Sequence, residues 1–520
     1  MNMNKFFSIL LIAYFAFTQV QANSQGPQQR HQCAHVKMNQ MLEKEIVDFI
    51  INENERHLQK SKPRNFKITY DMAYFDKLPN TPDMQMIRSS CEKAIKIASN
   101  FFSNLITIVP KPAGSMQWDL KLNKCGEASI PAADKTTDKD SDLHLYITFT
   151  EEPQDTYLAY AGWCRFIKAL GPTHGKVNFN LGRLKSYTLA NSFYFQDLVG
   201  IVIHEITHVL GFSGNDIANW VDSKKWPYVN PIVEQTVRGL KTKFLRTPNV
   251  LEFAKKYYGC KTIPGMPLEN QGGQGSSDSH WETTVVLDEI MNASPPNTIP
   301  IFTGFTAALL RDTGFYVSIN SKMEEKSFYG KDAGCSFITG ACDDKKREFC
   351  PVGSQVQKCD YYYHGIGKCS PSKYLDDKCE TLRTFMNARC FDDSNNFQNN
   401  PQFKNDMGVS VGSNSKCFNS SLISEKNQPI KEQGMCYSYT CTFFNKLVVN
   451  VGGTKVTCSK NGEQLKVPGY SGLLTCPEKL DQFCAFNKYC PNNCNSNGYC
   501  NNGTCICMNG FKGAACQQVA

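Results

Sequence analysis

The chain has 520 residues, 41% hydrophobic and 12% aromatic, enough for several domains with a sizeable core. Its formal net charge of +8 is small for this length, and no long basic block or basic–aromatic alternation is present, so nucleic acid is not an implied partner. The 24 cysteines thicken after Gly334, which points to an oxidising compartment where loop-rich segments are stapled by disulfides.

Residues 1–22 have the pattern of a secretory signal. Lys5 supplies the positive end, Phe6 to Phe17 the apolar run, and Val20-Gln21-Ala22 the small-residue cleavage site. No later stretch is long and apolar enough to span a bilayer, and Cys516 to Ala520 lacks the hydrophobic tail of a GPI signal. The expected location is therefore extracellular or the lumen of a secretory compartment. Sequons at Asn292, Asn419 and Asn502 permit glycosylation.

His31-Gln-Cys33-Ala-His35 follows, and then a helix is expected from Met38 to Leu58, with a polar hinge around Pro63. Cys33 has two readings: one half of a disulfide, or a propeptide thiolate that occupies the open position of a metal site. Residue types alone leave both open. Phe66 to Tyr70 reads as a strand, Ser89 to Ile106 as an amphipathic helix containing Cys91, and Thr107 to Asp142 as irregular. Leu143 to Phe149 alternates and reads as a strand with His144 pointing outward, and Val177 to Leu181 as another strand. Strands followed by a long apolar helix predict an α+β arrangement, the helix packed on a twisted sheet.

That helix runs from Phe193 toward Gly211, with Asn191 or Ser192 as N-cap. It contains His204-Glu205-Ile206-Thr207-His208. Histidines four apart share one helix face and can reach one metal ion, while Glu205 beside them can act on water without ligating. This is the H-E-x-x-H arrangement of zinc proteases. A catalytic zinc needs a third ligand, and a compact metzincin would place a histidine at 214, where this chain has Gly. The nine histidines are 31, 35, 57, 144, 174, 204, 208, 280 and 364. His280 is the natural candidate: it opens His280-Trp-Glu282 after the glycine-rich loop 271–276, and Met291 in Asp288-Glu-Ile-Met-Asn292 would serve as a methionine turn. A rival is a carboxylate ligand such as Glu234.

Together these residues resemble the leishmanolysin family of metzincin zinc metalloproteases. That family carries its third histidine after a long insertion and follows it with a similar His-Trp-Glu run and acidic-Met turn. Thr306 to Tyr316, Phe328-Tyr-Gly330, Gly334-Cys335-Ser-Phe337 and Tyr160 to Leu184 look alike too, and His31 to His35 is similar to the family's propeptide cysteine-switch motif. The likeness spans residues 31 to 345. It implies a metzincin-type catalytic domain in which His204, His208 and His280 bind one zinc ion. It also implies that Glu205 is the general base and then the proton shuttle, that Met291 forms the floor, and that Cys33 is the latency thiolate. Setting Cys33 aside leaves an odd number of cysteines, so one mature thiol lacks a partner.

Cys335 to Cys484 shows little periodicity and reads as the C-terminal part of the protease followed by a disulfide-stapled extension, with Tyr361-Tyr-Tyr-His364 in an exposed loop. From Cys490 the spacing C-x3-C-x5-C-x4-C-x-C-x8-C resembles an EGF-like module. The resemblance implies pairs Cys490–Cys500, Cys494–Cys505 and Cys507–Cys516, whereas spacing alone leaves the connectivity open.

The expected organisation is signal peptide 1–22, propeptide 23–63, catalytic subdomain 64–213, insertion 214–279, methionine-turn part 280–345, cysteine-rich extension 346–483 and EGF-like module 484–520. The expected function is a secreted zinc-dependent metalloendopeptidase acting on protein or peptide substrates and made as a latent precursor. The alternative is an adhesion or binding protein that makes surface or matrix contacts through its EGF-like end.

Overall fold

In the computed structural model, residues 34–35, 38, 42–48, 61–118, 122–273, 276–294, 297–354, 356–370, 377–442, 446–485 and 489–520 are described. The first half is built on a five-stranded sheet. Its strands are β1 (Glu45–Val47), β2 (Ile68–Asp71), β3 (Leu143–Thr150), β4 (Ala159–Ile167) and β5 (Gly171–Asn180), in the order β1-β4-β5-β3-β2. β2, β3 and β5 run parallel, with Ile68 opposite Leu143 and His144 opposite His174. β4 turns back antiparallel to β5, and β1 lies parallel to β4 with Glu45 opposite Arg165.

Two helices cover one face of this sheet. α1 (Pro82–Leu105) starts at Thr81, whose side chain accepts from Met84 N, with Pro82 in the first turn, where a missing N–H costs nothing. Its buried side includes Ile87, Cys91, Ala94, Ile95, Ala98, Phe101 and Phe102, a helical stripe turned to the core. α2 (Ser192–Leu210) is buried over nearly its whole length, as its apolar sequence requires. Asn191 caps it by accepting from Phe193 N and Tyr194 N, and Gly211 ends it at φ 139°.

Residues 111–118 and 122–142 fold over the other face, tied to β4 by Cys125–Cys164 and packed through Trp118 and Tyr146. His144 is therefore 4% exposed rather than outward, with Nδ1 on Thr69 Oγ1 at 2.8 Å. Alternation identified the strand; only the cover over its second face decided the side chain's environment.

A hairpin of β6 (Ile232–Val237) and β7 (Leu240–Leu245) follows, then α3 (Pro248–Tyr258) and α4 (Gly304–Asp312). The cysteine-rich part forms a six-stranded sheet around β8 (Ser415–Ser420), β9 (Gln433–Cys441), β10 (Leu447–Val451) and β11 (Thr454–Cys458). The C-terminal module carries the hairpin of β12 (Gly498–Asn501) and β13 (Thr504–Cys507). The architecture is α+β with a disulfide-rich C-terminal region, and one continuous apolar core runs from Phe66 through both halves to Tyr499.

Eleven disulfides take up 22 of the 24 cysteines. The last three pair Cys490–Cys500, Cys494–Cys505 and Cys507–Cys516. The unpaired thiol among the described residues is Cys91, inside α1, where burial pushes it well above the ordinary thiol range and keeps it inert. Cys33 and the signal segment lie outside the described residues.

Three expectations are corrected. The stretch read as a helix from Met38 to Leu58 has a strand at 45–47, because the free edge of β4 offers backbone partners that a helix would leave unused. Tyr361 to His364 is not an exposed loop; all four side chains are buried, with Tyr362 and His364 fully so. Asn292 is 1% exposed and donates to Val286 O, so its sequon is inaccessible in the folded chain.

α2 touches the sheet at Gly175. A Cβ there would stand 2.7 Å from Val209 Cγ1 and 3.0 Å from Gly162 O. Gly175→Val should therefore destabilise the fold by about 2 kcal/mol, measured as a lower denaturation midpoint with unchanged slope. Asp288 and Asp360 face each other where the halves meet, and burial, then the Asp360 charge, push Asp288 from an ordinary 3.8 up to about 7. Between those values the unfolded chain has released the proton and the folded chain still holds it, so stability falls as pH rises. Asp288→Asn removes this loss and tolerates the left-handed φ of 62° at that position. Its unfolding free energy should match wild type near pH 4 and exceed it at pH 7.5 by on the order of 1–2 kcal/mol, read from denaturation curves at the two pH values.

Candidate metal centre

The last turns of α2 carry His204 and His208 on one face, with Glu205 beside them. The third histidine arrives from far along the chain. Residues 214–273 leave the end of α2 and pass through β6, β7 and α3, and at 276–279 the chain is back beside its start, where Ser279 Oγ accepts from Gly214 N at 3.0 Å. A Cβ at 214 would stand 2.7 Å from Asp278 Cβ and 2.9 Å from Asp278 O. The glycine where a compact metzincin has its ligand thus leaves room for the loop that brings His280. That loop is held by Lys243 to Asp278 at 2.7 Å and by Glu269 N donating to His280 O at 2.9 Å.

The three imidazoles converge through Nε2. His208 Nε2 lies 3.1 Å from His204 Nε2 and 3.2 Å from His280 Nε2, and the third edge is 3.3 Å. Each Nδ1 meets a backbone carbonyl: His204 on Ile290 O at 2.6 Å, His208 on Phe212 O at 2.6 Å, and His280 on Ser276 O at 2.8 Å. A carbonyl only accepts, so Nδ1 carries the proton and Nε2 presents its lone pair. Three lone pairs pointed at one spot repel unless a cation stands there. Nitrogens bound to a tetrahedral zinc would lie roughly 3.3 Å apart, which these edges match. Burial holds His204 down at about 4 and His208 well below the ordinary range, so both are neutral, as ligands must be.

Glu205 is fully buried, and neither carboxylate oxygen has a hydrogen-bond partner among the described residues. Burial pushes its carboxyl up to about 8, opposed by the backbone of Ala161 in β4. Its proton affinity is thereby raised, a perturbation that buried carboxylates at functional sites share.

Met291 sits in a tight, fully buried turn. Trp281 N donates to Met291 O at 3.0 Å, Ile290 N to Ile301 O at 2.9 Å, and Met291 N to the Glu289 carboxylate at 2.5 Å. Thr303 and Thr306 hydroxyls also donate to that carboxylate, at 3.1 and 2.6 Å. The turn does more than fill space, because its Ile290 carbonyl orients His204. Sequence reasoning missed Ile290, Phe212 and Ser276, which act through backbone oxygen that no side-chain pattern marks. Glu289 could have been found as the acid next to the turn.

The N-terminal segment reaches the same place. The His35 ring stacks on His208 with centroids 3.8 Å apart, and His35 Nδ1 meets Ala161 O at 2.6 Å. Lys44 pairs with Asp216 at 3.7 Å and lies over the Trp163 ring, while Arg165 binds Glu45 at 3.0 Å. Glu234, the rival ligand, stands on β6, 48% exposed and paired with Lys241. It is not in the cluster. His144 and His174 occupy the opposite face of the sheet, and His364 lies among the rings of Tyr362, Phe391 and Tyr489.

The family pattern described as Leishmanolysin matches residues 101–490, and that of a Teneurin-like EGF domain matches residues 490–519. The chain is 29% identical to the Ciliated left-right organizer metallopeptidase of Danio rerio over 369 residues, 68% of this chain and 56% of that protein. It is 27% identical to the Xenopus laevis protein of the same name over 351 residues, covering 65% and 46%. It is 26% identical to Leishmanolysin of Leishmania major over 268 residues, covering 49% and 41%. The chain spans about half the length of the curated relatives it matches. With most of its length matched by the family pattern and the His204–His208–His280 cluster beside Glu205, the chain belongs to the leishmanolysin family.

Proposed function

We propose that this chain is a secreted, zinc-dependent metalloendopeptidase that cleaves peptide bonds of proteins and is made as a latent precursor. The observation that carries the reading is the convergence of three carbonyl-oriented histidines beside a buried carboxylate. His204, His208 and His280 would hold one zinc ion, which when bound supplies Lewis acidity toward water and the scissile carbonyl. The chain's own residues handle the protons. Glu205 accepts a proton from the attacking water and delivers it to the leaving amine, so the peptide C–N bond breaks and a new carboxyl forms. The three carbonyls keep the imidazole rings from rotating, and the Met291 turn closes the floor beneath them.

Latency is supported by what occupies β4. An unpaired strand edge is where a peptide would add, and here β1 fills it. The His35 ring covers His208. Cys33, two residues before His35, would be the thiolate that takes the open metal position. The proposed boundaries remain 1–22 for the signal, 23–63 for the propeptide, 280–345 for the methionine-turn part and 484–520 for the module. Adhesion through the EGF-like end has no specific observation in its favour, since the module's Asn493 and Tyr499 are packed against the first half of the chain.

Metal content and peptidase activity of the full chain and of the chain lacking residues 23–63 test both parts together. One zinc in each, with activity only in the shorter form, is expected; a metal-free protein would sink the three-histidine site. His280→Ala should abolish zinc uptake, and retention of the ion would return the third ligand to a carboxylate. Glu205→Ala should keep the zinc and lower turnover by about 10²–10⁴-fold. Near-normal hydrolysis by that variant would remove Glu205 from its role. Cys33→Ser in the full chain should raise activity without trimming, and an unchanged full-length rate would mean that the thiol does not impose latency.

A further inference from the structure

The C-terminal module meets the rest of the chain at several points, among them Asn100 of α1, which donates to Cys507 O at 2.9 Å, and two others stand on opposite sides of it. At the start of α2, Asn493 Nδ2 donates to Ser192 Oγ at 2.8 Å, and Gln196 Nε2 donates to the carbonyls of Asn493 and Gly498 at 3.1 and 3.0 Å. On its other side, Tyr499 OH donates to Glu325 Oε2 at 3.3 Å and Asn502 N to Glu325 Oε1 at 3.0 Å. Tyr499 is 4% exposed, and its ring meets Phe101 of α1 edge-on at 5.1 Å. This is core packing, unlike the loose join of a spacer module.

Glu325 passes the contact inward. Its Oε2 also accepts from Phe302 N at 2.9 Å, and Glu325 N donates back to Phe302 O at 2.8 Å. The residues on either side of Phe302 hold the methionine turn. Ile301 O accepts from Ile290 N at 2.9 Å, and Thr303 Oγ1 donates to Glu289 at 3.1 Å. Ile290 O then takes the Nδ1–H of His204 at 2.6 Å. From Tyr499 to His204 the connection is buried throughout and runs through one extended segment, 301–303. Buried carboxylates with several fixed donors resist displacement, because every lost donor in a dry site goes uncompensated.

We infer that the EGF-like module is a clamp on the metal centre, holding the first turn of α2 at one end and the methionine turn at the other. Tyr499 is a positioning residue that acts through Glu325 on the orientation of His204. The inference rests on the three-histidine zinc reading above. It assigns the module a role within the catalytic unit in addition to any contact its outer face makes.

The test uses the full-length chain with Tyr499→Phe, which removes one hydroxyl, and Gln196→Ala, which loosens the other point of contact. Three quantities are read: the rate of zinc loss to a chelator, the visible spectrum of the cobalt-substituted chain, and amide deuterium uptake. For Tyr499→Phe the melting temperature should fall modestly, with the chain still folded, while zinc leaves about tenfold faster, the scale of changes in groups that support metal ligands. The cobalt bands should shift, and the amides of Ile290 and Met291 should exchange faster. Gln196→Ala should shift the same bands, and it carries the test if Tyr499→Phe does not fold. Wild-type zinc loss and spectra in the variants, with faster exchange confined to 498–507, would overturn the clamp while leaving the zinc site standing. A wild-type chain that takes up no zinc would sink the metal reading and the clamp with it.

Discussion

The convergence of His204, His208 and His280 depends on three Nδ1–H to carbonyl hydrogen bonds. An imidazole can turn about its bonds and can hold its proton on either nitrogen, so two histidines on a helix are not yet a site. Here the carbonyls of Ile290, Phe212 and Ser276 choose the tautomer and fix each ring. Those carbonyls come from the methionine turn, the turn after α2 and the loop before His280. Each must be placed to a fraction of an ångström by its own surroundings, and most of the fold around α2 can be understood as doing so.

The sheet and the long insertion do this in different ways. α2 is pressed onto β5 closely enough that Gly175 has no room for a side chain, which sets the depth of His204 and His208. The insertion returns against Gly214, which sets the approach of His280. A single missing Cβ at each place thus stands at the two contacts that bring the three histidines together. The disulfide-rich half adds a wall that shares the same core, and the buried acids at the junction, Asp288, Glu289 and Glu325, are kept protonated up to about 7 by burial. Their role is to accept hydrogen bonds from backbone and hydroxyl donors in places where water does not reach.

The edge of β4 is the exposed counterpart to this buried machinery. A free edge invites another strand, and in this chain the N-terminal segment supplies one, anchored by Glu45 to Arg165 and Lys44 to Asp216. These ion pairs lie beside the His35 ring stacked on His208, whereas Glu325 and Glu289 are held by hydrogen bonds from backbone and hydroxyl donors. The two sets of contacts differ in kind: ion pairs at the strand edge, and hydrogen bonds to buried carboxylates beneath the turn.

Much of this was legible in the sequence. His204, Glu205 and His208 announce themselves by helical spacing, His280 by the short supply of histidines and its His-Trp-Glu context, and the family by the whole set. The long helices, the cysteine-rich tail and the EGF-like spacing could be read because each depends on local periodicity or side-chain identity. The strand at 45–47, the burial of His144 and Tyr362, and the carbonyls behind the three histidines could not. They depend on which backbone groups the fold leaves without partners and which surfaces it covers, and residue type carries no record of that. The docking of Tyr499 onto Glu325 is of the same kind: the cysteine spacing determined a stapled module, and only tertiary packing, by burying a carboxylate that needs donors, decided that the module lies against the segment behind the methionine turn.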